Sequence, residues 1–440
     1  MARAPAAALL QLLSAAAASG GRPGIDVLGT LDLLLVETTP VDVAGELWLL
    51  ESVRPDYWNN TAGHEYLRFV HMQSGRTSAS FGAGHGLGSA IVMMGPCPPK
   101  GVCGVFAFAT RRSFGDGSPS PACRAALQRS CSADAAAAGA SEPCVVCAGH
   151  LQHELRSAGC SHSDIQAYCA GSSQDGQVIT AFWTTGDMDS WYNLTAIDFS
   201  KDTKGRSKRT VFNTSVGKGM LNGTQVYVMA YEWSRPGTPG GWNTNFAVST
   251  DLLHWELLSD EFAMPEAVEH ADPTLRYADG YWYCIPARKS PSRWYFFQEI
   301  YRSTDLKHWE AAPGMGSPTA EGTPLLAPDP TKDRALAGSE WLSWVHDALE
   351  AAGSGSDPRI ANWTQWEDCN SSDMDLCSWR GQTLMMFNWG CQHATEALAL
   401  ALSPMPMDAF LQGWFPTTTL NEPSQPTQHA QDSGGQGTGD

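Results

Sequence analysis

The groups in this chain best suited to proton transfer are acidic residues in or beside strand-like segments. Asp272 directly precedes a proline at the start of one such segment, and Asp373 and Asp375 open another. Because alternate residues of a strand point to one face, Asp373 and Asp375 would face the same side. Glu232 and Glu299 lie in further strand-like segments. If the fold brings a protonated and an ionised carboxyl together, the pair could perform general acid and base catalysis.

A repeated motif indicates which elements would position these acids. The pattern Ser/Thr-x-Asp-Leu/Met-x-x-Trp occurs three times, with its Asp at positions 187, 251 and 305, which are 64 and 54 residues apart. Aromatic-rich, strand-like segments separated by turn residues precede the copies. Short strands with a periodic aromatic motif are typical of propeller blades. We interpret the Asp as the cap of a turn after each blade's third strand and the Trp as a wedge between blades.

The sequence therefore predicts an all-β fold, a five-bladed β-propeller over residues 40–416 with a small disulfide-rich helical insert. The insert, residues 115–175, holds six cysteines among Ala-rich helical stretches and would interrupt blade 2. Zinc held by its Cys-x-x-Cys pair and nearby histidines is the alternative. The sequence does not choose among the pairings of these cysteines. Outside the insert, Cys369 and Cys391 are among the cysteines left without an assigned partner.

Several features predict a secreted glycoprotein. Residues 1–20 contain one Arg, an apolar run and then small residues, which is typical of a cleaved signal peptide, with a simple Ala-rich helix as the alternative. No later segment has the unbroken apolar length of a membrane span. Twelve cysteines suit an oxidising compartment. Residues 417–440 have the composition of a disordered tail. Six N-x-Ser/Thr sequons agree with secretion, at Asn59, Asn193, Asn213, Asn222, Asn362 and Asn370.

Charge and composition limit the classes of partner that the protein is expected to bind. The formal net charge of −18 argues against binding to nucleic acid or to an anionic membrane. A neutral glycan would be indifferent to that charge. The 17 Trp residues suit packing between sheets, and some of them could stack on sugar rings. The sequence calls for no cofactor, and it neither demands nor excludes a cation on the propeller axis.

The start of each blade's innermost strand would face the central axis, so polar residues there are the ones to examine. Buried structural hydrogen bonding across the axis, or a bound cation, would also account for polar residues at these positions. Asn213 stands in a sequon, and a glycan there would exclude it from the axis. Residues that could contact a sugar, each with ordinary packing as its alternative, are His85, Asn213, His270, Arg288, Trp389 and Gln392.

Two stretches carry a resemblance to a known group. The segment HADPTLRYADGYWY, residues 270–283, followed by RSTDLKHWE, residues 302–310, resembles the five-bladed propeller glycosidases of glycoside hydrolase families 43 and 32 and their uncharacterised relatives. The segment NSSDMDLCSWRGQTLMMFNWGCQHATEALALA, residues 370–401, resembles the closing blade of this group. The resemblance covers residues 40–416 apart from the insert. Its repeat motif is specific for the fold and less informative about the reaction.

The resemblance implies hydrolysis of a glycosidic bond by a carboxylate pair, with a third carboxylate holding the acid protonated. Asp272, in the Asp-Pro motif, would be the base or the carboxylate that raises the pKa of the acid. Glu232 and Glu299 are candidates for the acid, and Asp373 and Asp375 are rivals from blade 5. Glu396 is a weaker candidate.

One departure from the family pattern leaves alternatives open. Characterised members carry an Asp base in an Asp-Pro motif at the start of blade 1, whereas residues 38–43 here read Thr-Thr-Pro-Val-Asp-Val. Asp42 and Asp56 are imperfect substitutes. The leading hypothesis is a secreted glycoside hydrolase acting on a poly- or oligosaccharide. A non-catalytic carbohydrate-binding propeller is the alternative, and a protein-interaction propeller that uses the insert is a third.

Overall fold

Five antiparallel sheets make up the protein. The computed structural model describes residues 22–33, 35–53, 65–93, 104–111, 120–130, 155, 158–160, 178–184, 188–199, 211–234, 242–265, 269–292, 295–353, 360–391 and 396–415. The predicted signal peptide, most of the insert, the predicted tail and Gln392 lie outside these ranges.

The strands follow one another blade by blade. After β1 (Asp26–Leu33), blade 1 contains β2 (Val36–Val43), β3 (Glu46–Val53) and β4 (Tyr66–His71). Blade 2 contains β5 (His85–Met93), β6 (Gly104–Arg111), β7 (Val178–Thr184) and β8 (Tyr192–Asp198). Blade 3 contains β9 (Val211–Leu221), β10 (Thr224–Ser234), β11 (Trp242–Ser249) and β12 (Glu256–Leu257). Blade 4 contains β13 (Ala271–Ala278), β14 (Tyr281–Lys289), β15 (Phe296–Gln298), β16 (Tyr301–Ser303) and β17 (Glu310–Ala311). Blade 5 contains β18 (Asn370–Trp379), β19 (Gln382–Gly390) and β20 (Glu396–Ser403).

The first strand of the chain completes the last blade. β1 pairs antiparallel with β20, so the order of the blade 5 sheet is β1-β20-β19-β18. The propeller thus begins at Asp26, ahead of the start at residue 40 expected from the sequence. The pairing joins segments almost a whole chain apart, which a local sequence pattern cannot indicate. The same pairing closes the ring of blades, because the first strand of the chain becomes the outer strand of the last blade.

Among the described residues, few helices accompany the sheets. They are α1 (Pro121–Ser130), α2 (Pro330–Asp333), α3 (Ser339–Gly353) and α4 (Met407–Gly413), with short 3₁₀ helices at Asp260–Phe262 and Trp363–Gln365. α2 and α3 contact β1 from outside the sheet. Within the described part of the chain, no helix is long and apolar enough to cross a membrane.

The described part of the insert contains one helix and one disulfide. α1 lies between β6 and β7, which are paired neighbours in blade 2. Cys123 in this helix forms a disulfide with Cys160. Since a disulfide persists in oxidising surroundings, this bond suits the predicted compartment.

The repeated turns have the structure that the motif predicted. Oδ1 of Asp251 accepts hydrogen bonds from the amides of Leu253 and His254 at 2.9 and 2.8 Å, and Asp305 accepts the equivalent pair. Partial burial acts to raise the pKa of Asp251, but hydrogen bonds from His254 outweigh it and hold that pKa at about 2. The Asp is therefore an ionised turn cap in both copies. Asp187 of the first copy lies outside the described residues.

The tryptophan of each copy packs on an aromatic ring of the preceding blade. Each indole N–H also donates to the carbonyl three residues earlier, at 3.0–3.2 Å. The ring pairs, with their centroid separations, are Trp191 on Phe81 (4.0 Å), Trp255 on Phe108 (5.6 Å) and Trp309 on Phe246 (5.3 Å). These contacts confirm the interpretation of the Trp as a wedge between blades.

The innermost strands, β2, β5, β9, β13 and β18, surround the axis. Each contacts the next in this order, and β18 contacts β2. This closed ring confirms the five-bladed propeller and brings the starts of five strands to one end of the axis.

Candidate active site

Every innermost strand has a β-bulge near its start, at an equivalent position. The pairing register with the second strand shifts there in all five blades. One residue at each bulge has left-handed backbone, which costs a residue other than glycine about 1–2 kcal/mol. These residues, with their φ angles, are Glu37 (54°), Leu87 (57°), Asn213 (37°), Asp272 (45°) and Asp373 (48°). Three of the five are Asn or Asp, the types that tolerate this conformation best.

All five bulge residues line one open pocket at the end of the axis. The pocket has a volume of about 310 Å³, part of it open to solvent, and among the described residues that line it none is basic. Its other lining residues are Thr38, Thr39, Gly88, Thr214, Pro273, Thr274, Met374 and Asp375. A strained backbone position repeated around a polar pocket is a common feature of functional sites.

Glu37 is the acidic residue of blade 1 that sequence reasoning missed. It takes the bulge position of that blade, and its amide donates to Oδ1 of Asn388 at 3.2 Å. Asn388 in turn donates to the carbonyl of Leu35 at 2.9 Å, which braces this turn of the chain. A signal was available: like Asp272 and Asp373, Glu37 stands two residues before a polar residue of the inner strand.

The two acids considered for blade 1 do not occupy this position. Asp42 lies at the other end of β2, where its carboxylate accepts a hydrogen bond from the amide of Gly45 at 2.6 Å. It is therefore a hairpin cap. Asp56 lies outside the described residues. The blade 1 carboxylate at the pocket is Glu37, one methylene longer than the aspartate that the resemblance implied.

Asp272, Glu232 and Asn213 form one hydrogen-bonded group. Glu232 projects from β10, and its Oε2 accepts from the amide of Asp272 at 2.8 Å and from Nδ2 of Asn213 at 3.0 Å. Nδ2 of Asn213 also donates to Oδ1 of Asp272. The structure thus brings these three predicted site residues together. Nδ2 of Asn213, the atom that would carry a glycan, is held by two carboxyl groups.

Burial shifts the pKa values of this group upward. Desolvation, reinforced by the neighbouring Glu232, raises the pKa of Asp272 well above its usual range. Desolvation also raises the pKa of Glu232 to about 7, although hydrogen bonds from Asp272 and Asn213 oppose the rise. Each carboxyl influences the pKa of the other, so the two titrate as a pair.

Asp373 is the third acid of the pocket and belongs to a second network. The Ser372 hydroxyl donates to its Oδ2 at 2.6 Å, and Asn370 donates to that hydroxyl at 2.8 Å and also to Oε1 of Glu396. Burial first, and then the charge of Asp272, raise the pKa of Asp373 well above its usual range. Glu37 and Glu396 act in the same direction. Glu396, the weaker candidate, therefore influences the site electrostatically.

Asp375 and Glu299 are engaged in ion pairs. Asp375 lines the pocket, but its carboxylate pairs with Arg276 and accepts from the amide of Leu376 at 2.8 Å. Glu299 is fully buried and is not among the pocket-lining residues. Its carboxylate accepts from Arg288 at 2.8 Å and from the Tyr301 hydroxyl at 2.6 Å. These partners satisfy both acids as structural carboxylates, because a buried charge needs such partners.

The structure also places four predicted sugar-contacting residues in the packing of the blades. His85 is buried, and its ring nitrogens contact the Ala83 carbonyl at 3.1 Å and the Thr180 hydroxyl at 2.8 Å. His270 is buried edge-on to the ring of Tyr301. Burial lowers the pKa of both histidines to about 3, so they are neutral.

Arg288 and Trp389 are also packed inside the blades. Arg288 is buried against Glu299, and the Trp389 indole donates to the Thr30 hydroxyl at 2.9 Å in the core of blade 5. Neither residue lines the pocket. Both have the residue type that sugar sites favour, but their side chains fill the interior of a sheet. Of the six predicted contacts, Asn213 lines the pocket, and Gln392 lies outside the described residues.

Metal ligation was considered for the acids. Across the described ranges, no group of three or more His, Cys, Asp or Glu side chains has an arrangement that could hold a metal ion. The arrangement suits proton transfer, because carboxyl groups from three blades face one pocket and burial raises the pKa of two of them, Asp272 and Asp373.

Comparison with known proteins gives no family for this chain. No protein-family model matches the sequence, and no curated protein matches it. Similar solved structures include one named a glycoside hydrolase, with 10% identity, a TM-score of 0.47, and coverage of 92% of this chain and 97% of that one. A GH43 endo-arabinanase from Bacillus licheniformis has 10% identity, a TM-score of 0.39 and coverage of 83% and 92%. The α-L-arabinofuranosidase from Fusarium graminearum, in complex with an iminosugar inhibitor, has 10% identity, a TM-score of 0.43 and coverage of 87% and 98%. Likeness at this level carries no inference about the chemistry of this chain.

Proposed function

We propose that the protein is a glycoside hydrolase whose active site is the axial pocket. The observation that carries the proposal is the ring of bulges, which presents Glu37, Asp272 and Asp373 from three blades to one pocket. Burial favours the protonated form of two of these acids. Protonated and ionised carboxyls around one open space are what acid and base hydrolysis of a glycosidic bond requires.

Each acid has a proposed role. Asp373 is the general acid, because Ser372 bonds its Oδ2 and leaves Oδ1 to carry the proton toward the leaving-group oxygen. Asp272, coupled to Glu232, keeps the pKa of Asp373 high. Glu37 is the ionised partner, which either activates a water molecule or attacks the anomeric carbon. The configuration of the first-formed product distinguishes these two routes.

The test is turnover of a panel of aryl glycosides and of plant, fungal and bacterial polysaccharides. We expect release of sugar from at least one substrate, and a loss of about 10²–10⁴-fold in kcat for Asp373→Asn. Asp42→Asn is the matched control, because Asp42 is a hairpin cap outside the pocket. Equal activity of Asp373→Asn and wild type would refute the assignment.

A non-catalytic carbohydrate-binding propeller is the second candidate. The observation that favours it is the bonding of Asn213 to both Glu232 and Asp272, which engages these acids with one another and not with a substrate. Glycan binding by calorimetry, without turnover on the panel, would support this function over hydrolysis.

We also propose that the protein is secreted and acts on extracellular carbohydrate. The sequon asparagines differ in accessibility: Asn222, at the tip of the β9–β10 hairpin, and Asn362 are exposed, whereas Asn370 is buried. Expression in a eukaryotic secretory host, followed by peptide mass spectrometry, should find glycans at Asn222 and Asn362. Retention in the cell without any glycan would contradict secretion.

A further inference from the structure

Two cysteines meet where the first two strands of blade 5 come together at the site. Cys369 directly precedes β18, and Cys391 directly follows β19. The amide of Cys369 donates to the carbonyl of Gly390, the residue before Cys391, at 2.8 Å. Burial first, and then the neighbouring Cys391 thiol, raise the pKa of the Cys369 thiol. Both residues are partly exposed, so an oxidant can reach them.

The other thiols of the described residues have different surroundings. Cys284 is buried in the apolar core shared by blades 3 and 4. Cys377 packs at the edge of the core that involves β1, β3 and α3. These two cysteines belong to separate clusters. Cys369 and Cys391 are therefore set apart from them by their mutual contact, which gives each a partner.

We propose that Cys369 and Cys391 form a disulfide that joins the start of β18 to the end of β19. Antiparallel neighbours lie about 4.5–5.5 Å apart at Cα, within the roughly 4.4–6.8 Å that disulfides span. Asn370 and Gly390, which adjoin the two cysteines, are paired across the strands, and the amide of Cys369 donates to the carbonyl of Gly390. The Cys123–Cys160 disulfide is a second bond of the same kind in this chain.

The oxidant is a small disulfide such as oxidised glutathione. The thiolate of one cysteine attacks it, forms a mixed disulfide and releases one glutathione thiolate. The second cysteine thiolate attacks the cysteine sulfur of the mixed disulfide and releases the other glutathione. The two cysteines lose two electrons to the oxidant, and their two protons are taken up by the released thiolates.

The Cys369–Cys391 disulfide would affect the site through Asn370. This residue follows Cys369 and donates hydrogen bonds to Ser372, which holds Asp373, and to Glu396. Glu396 in turn pairs with Gly390, the residue before Cys391. Locking the strand ends therefore holds the network behind Asp373 in place.

Peptide mapping tests the proposal independently of any activity. The protein is equilibrated in a glutathione buffer that contains the oxidised form, denatured without reductant, alkylated, and cleaved at Arg and before Asp. Arg380 separates Cys369 from Cys391, and Asp373 and Asp375 separate Cys369 from Cys377. We expect a cross-linked peptide pair that contains Cys369 and Cys391, with Cys284 and Cys377 alkylated.

The Cys123–Cys160 bond is the internal control for oxidation. If that bond is found while Cys369 and Cys391 are both alkylated, the proposal is wrong. Cys377→Ser should keep the cross-link, and Cys391→Ser should leave Cys369 alkylated. Cys391→Ser should also lower the Tm of the oxidised protein by roughly 3–6 °C, with Cys377→Ser compared in parallel.

Discussion

The main-chain amide of Asp272 donates a hydrogen bond to Oε2 of Glu232 at 2.8 Å. A carboxylate from the second strand of blade 3 thereby holds the bulge that begins blade 4. Asp272 has left-handed backbone there, with φ of 45°. The bond explains how an unfavourable backbone conformation is retained, and it brings two acidic side chains close enough to share a proton.

Replacing Glu37 tests the acid that completes the ring. Glu37→Gln should lower kcat by about 10²–10⁴-fold, because an amide neither accepts a proton nor acts as a nucleophile. Glu37→Asp should retain more activity than Glu37→Gln, since it keeps the charge. Steady-state kinetics on an active aryl glycoside give the comparison. Glu46→Gln, in the exposed hairpin of the same blade, is the control. An unchanged kcat for Glu37→Gln would exclude Glu37 from catalysis.

Removing the charge of Asp272 should move the pH profile. Asp272 is, after burial, the largest influence that raises the pKa of Asp373. The general acid works while protonated, so a lower pKa means that activity is lost at lower pH. The alkaline limb of kcat/KM for Asp272→Asn should therefore shift to lower pH. Asp279→Asn, in the hairpin turn of the same blade, should leave the limb in place. A shift of the limb to higher pH in Asp272→Asn would contradict the proposed coupling.

Glu299 should matter for stability and not for turnover. Glu299→Ala leaves the buried Arg288 guanidinium without its counter-charge, which costs about 3–5 kcal/mol in the free energy of unfolding. Denaturant unfolding measures the loss. The kcat of the folded fraction should stay close to wild type, because Glu299 is not among the residues that line the pocket. A fall in kcat equal to that of Asp373→Asn would instead restore Glu299 as the acid.

The blade-wedging tryptophans should carry much of the stability between blades. Trp309→Ala removes the ring stacked on Phe246 of the preceding blade and should cost about 3–5 kcal/mol. Urea titration followed by circular dichroism checks this value. Tyr192→Ala removes an aromatic ring that is 52% exposed and should cost far less. Similar losses for the two variants would argue against the wedge.

The carboxyl pair Asp333 and Asp368 should make stability depend on pH. Desolvation, together with the charge of Asp368, raises the pKa of Asp333 to about 8, and desolvation raises the pKa of Asp368 to about 6 although its interaction with Asp333 opposes the rise. In the unfolded chain both ionise near pH 4, so folding retains protons that the unfolded state has released. Their contribution to stability is therefore full below about pH 4 and is lost as the pH rises toward about 8.

Asp333→Asn should flatten this dependence, because an amide carries no charge at any of these pH values. Tm measured between about pH 4 and pH 9 provides the test. Asp347→Asn, at an exposed position of α3, should keep the wild-type slope. If the wild-type Tm rises between about pH 5 and pH 8 and Asp333→Asn removes that rise, the predicted direction of the pH dependence is wrong.

Local features of the fold could be predicted because they depend on residues close in the chain. The turn caps need only an Asp and amide groups two and three residues later, and the Trp closes the same turn. The hairpin β3–β4 and the Asp-Pro start of blade 4 follow from equally short patterns. The same short pattern predicts that Asp272 lies at the axis.

The residues that form the site could not be predicted from local sequence patterns. Arg288, Trp389 and His85 have side-chain types suited to sugar binding, yet each points into a core that other parts of the chain create. Glu37 lacks the Asp-Pro motif, and the bulge that it shares with Asp272 and Asp373 is defined only by strand pairing.

The sequence by itself determined the repeat, the capped turns and the blade starts, because hydrogen bonds and alternation within a few residues specify them. The tertiary structure alone decided that β1 completes blade 5, that Glu37 lies at a bulge beside the pocket, and that Glu299 is buried in an ion pair away from it. The physical reason is that ring closure and register bring together residues hundreds of positions apart. The ionisation of each carboxyl then depends on the neighbours that this packing supplies.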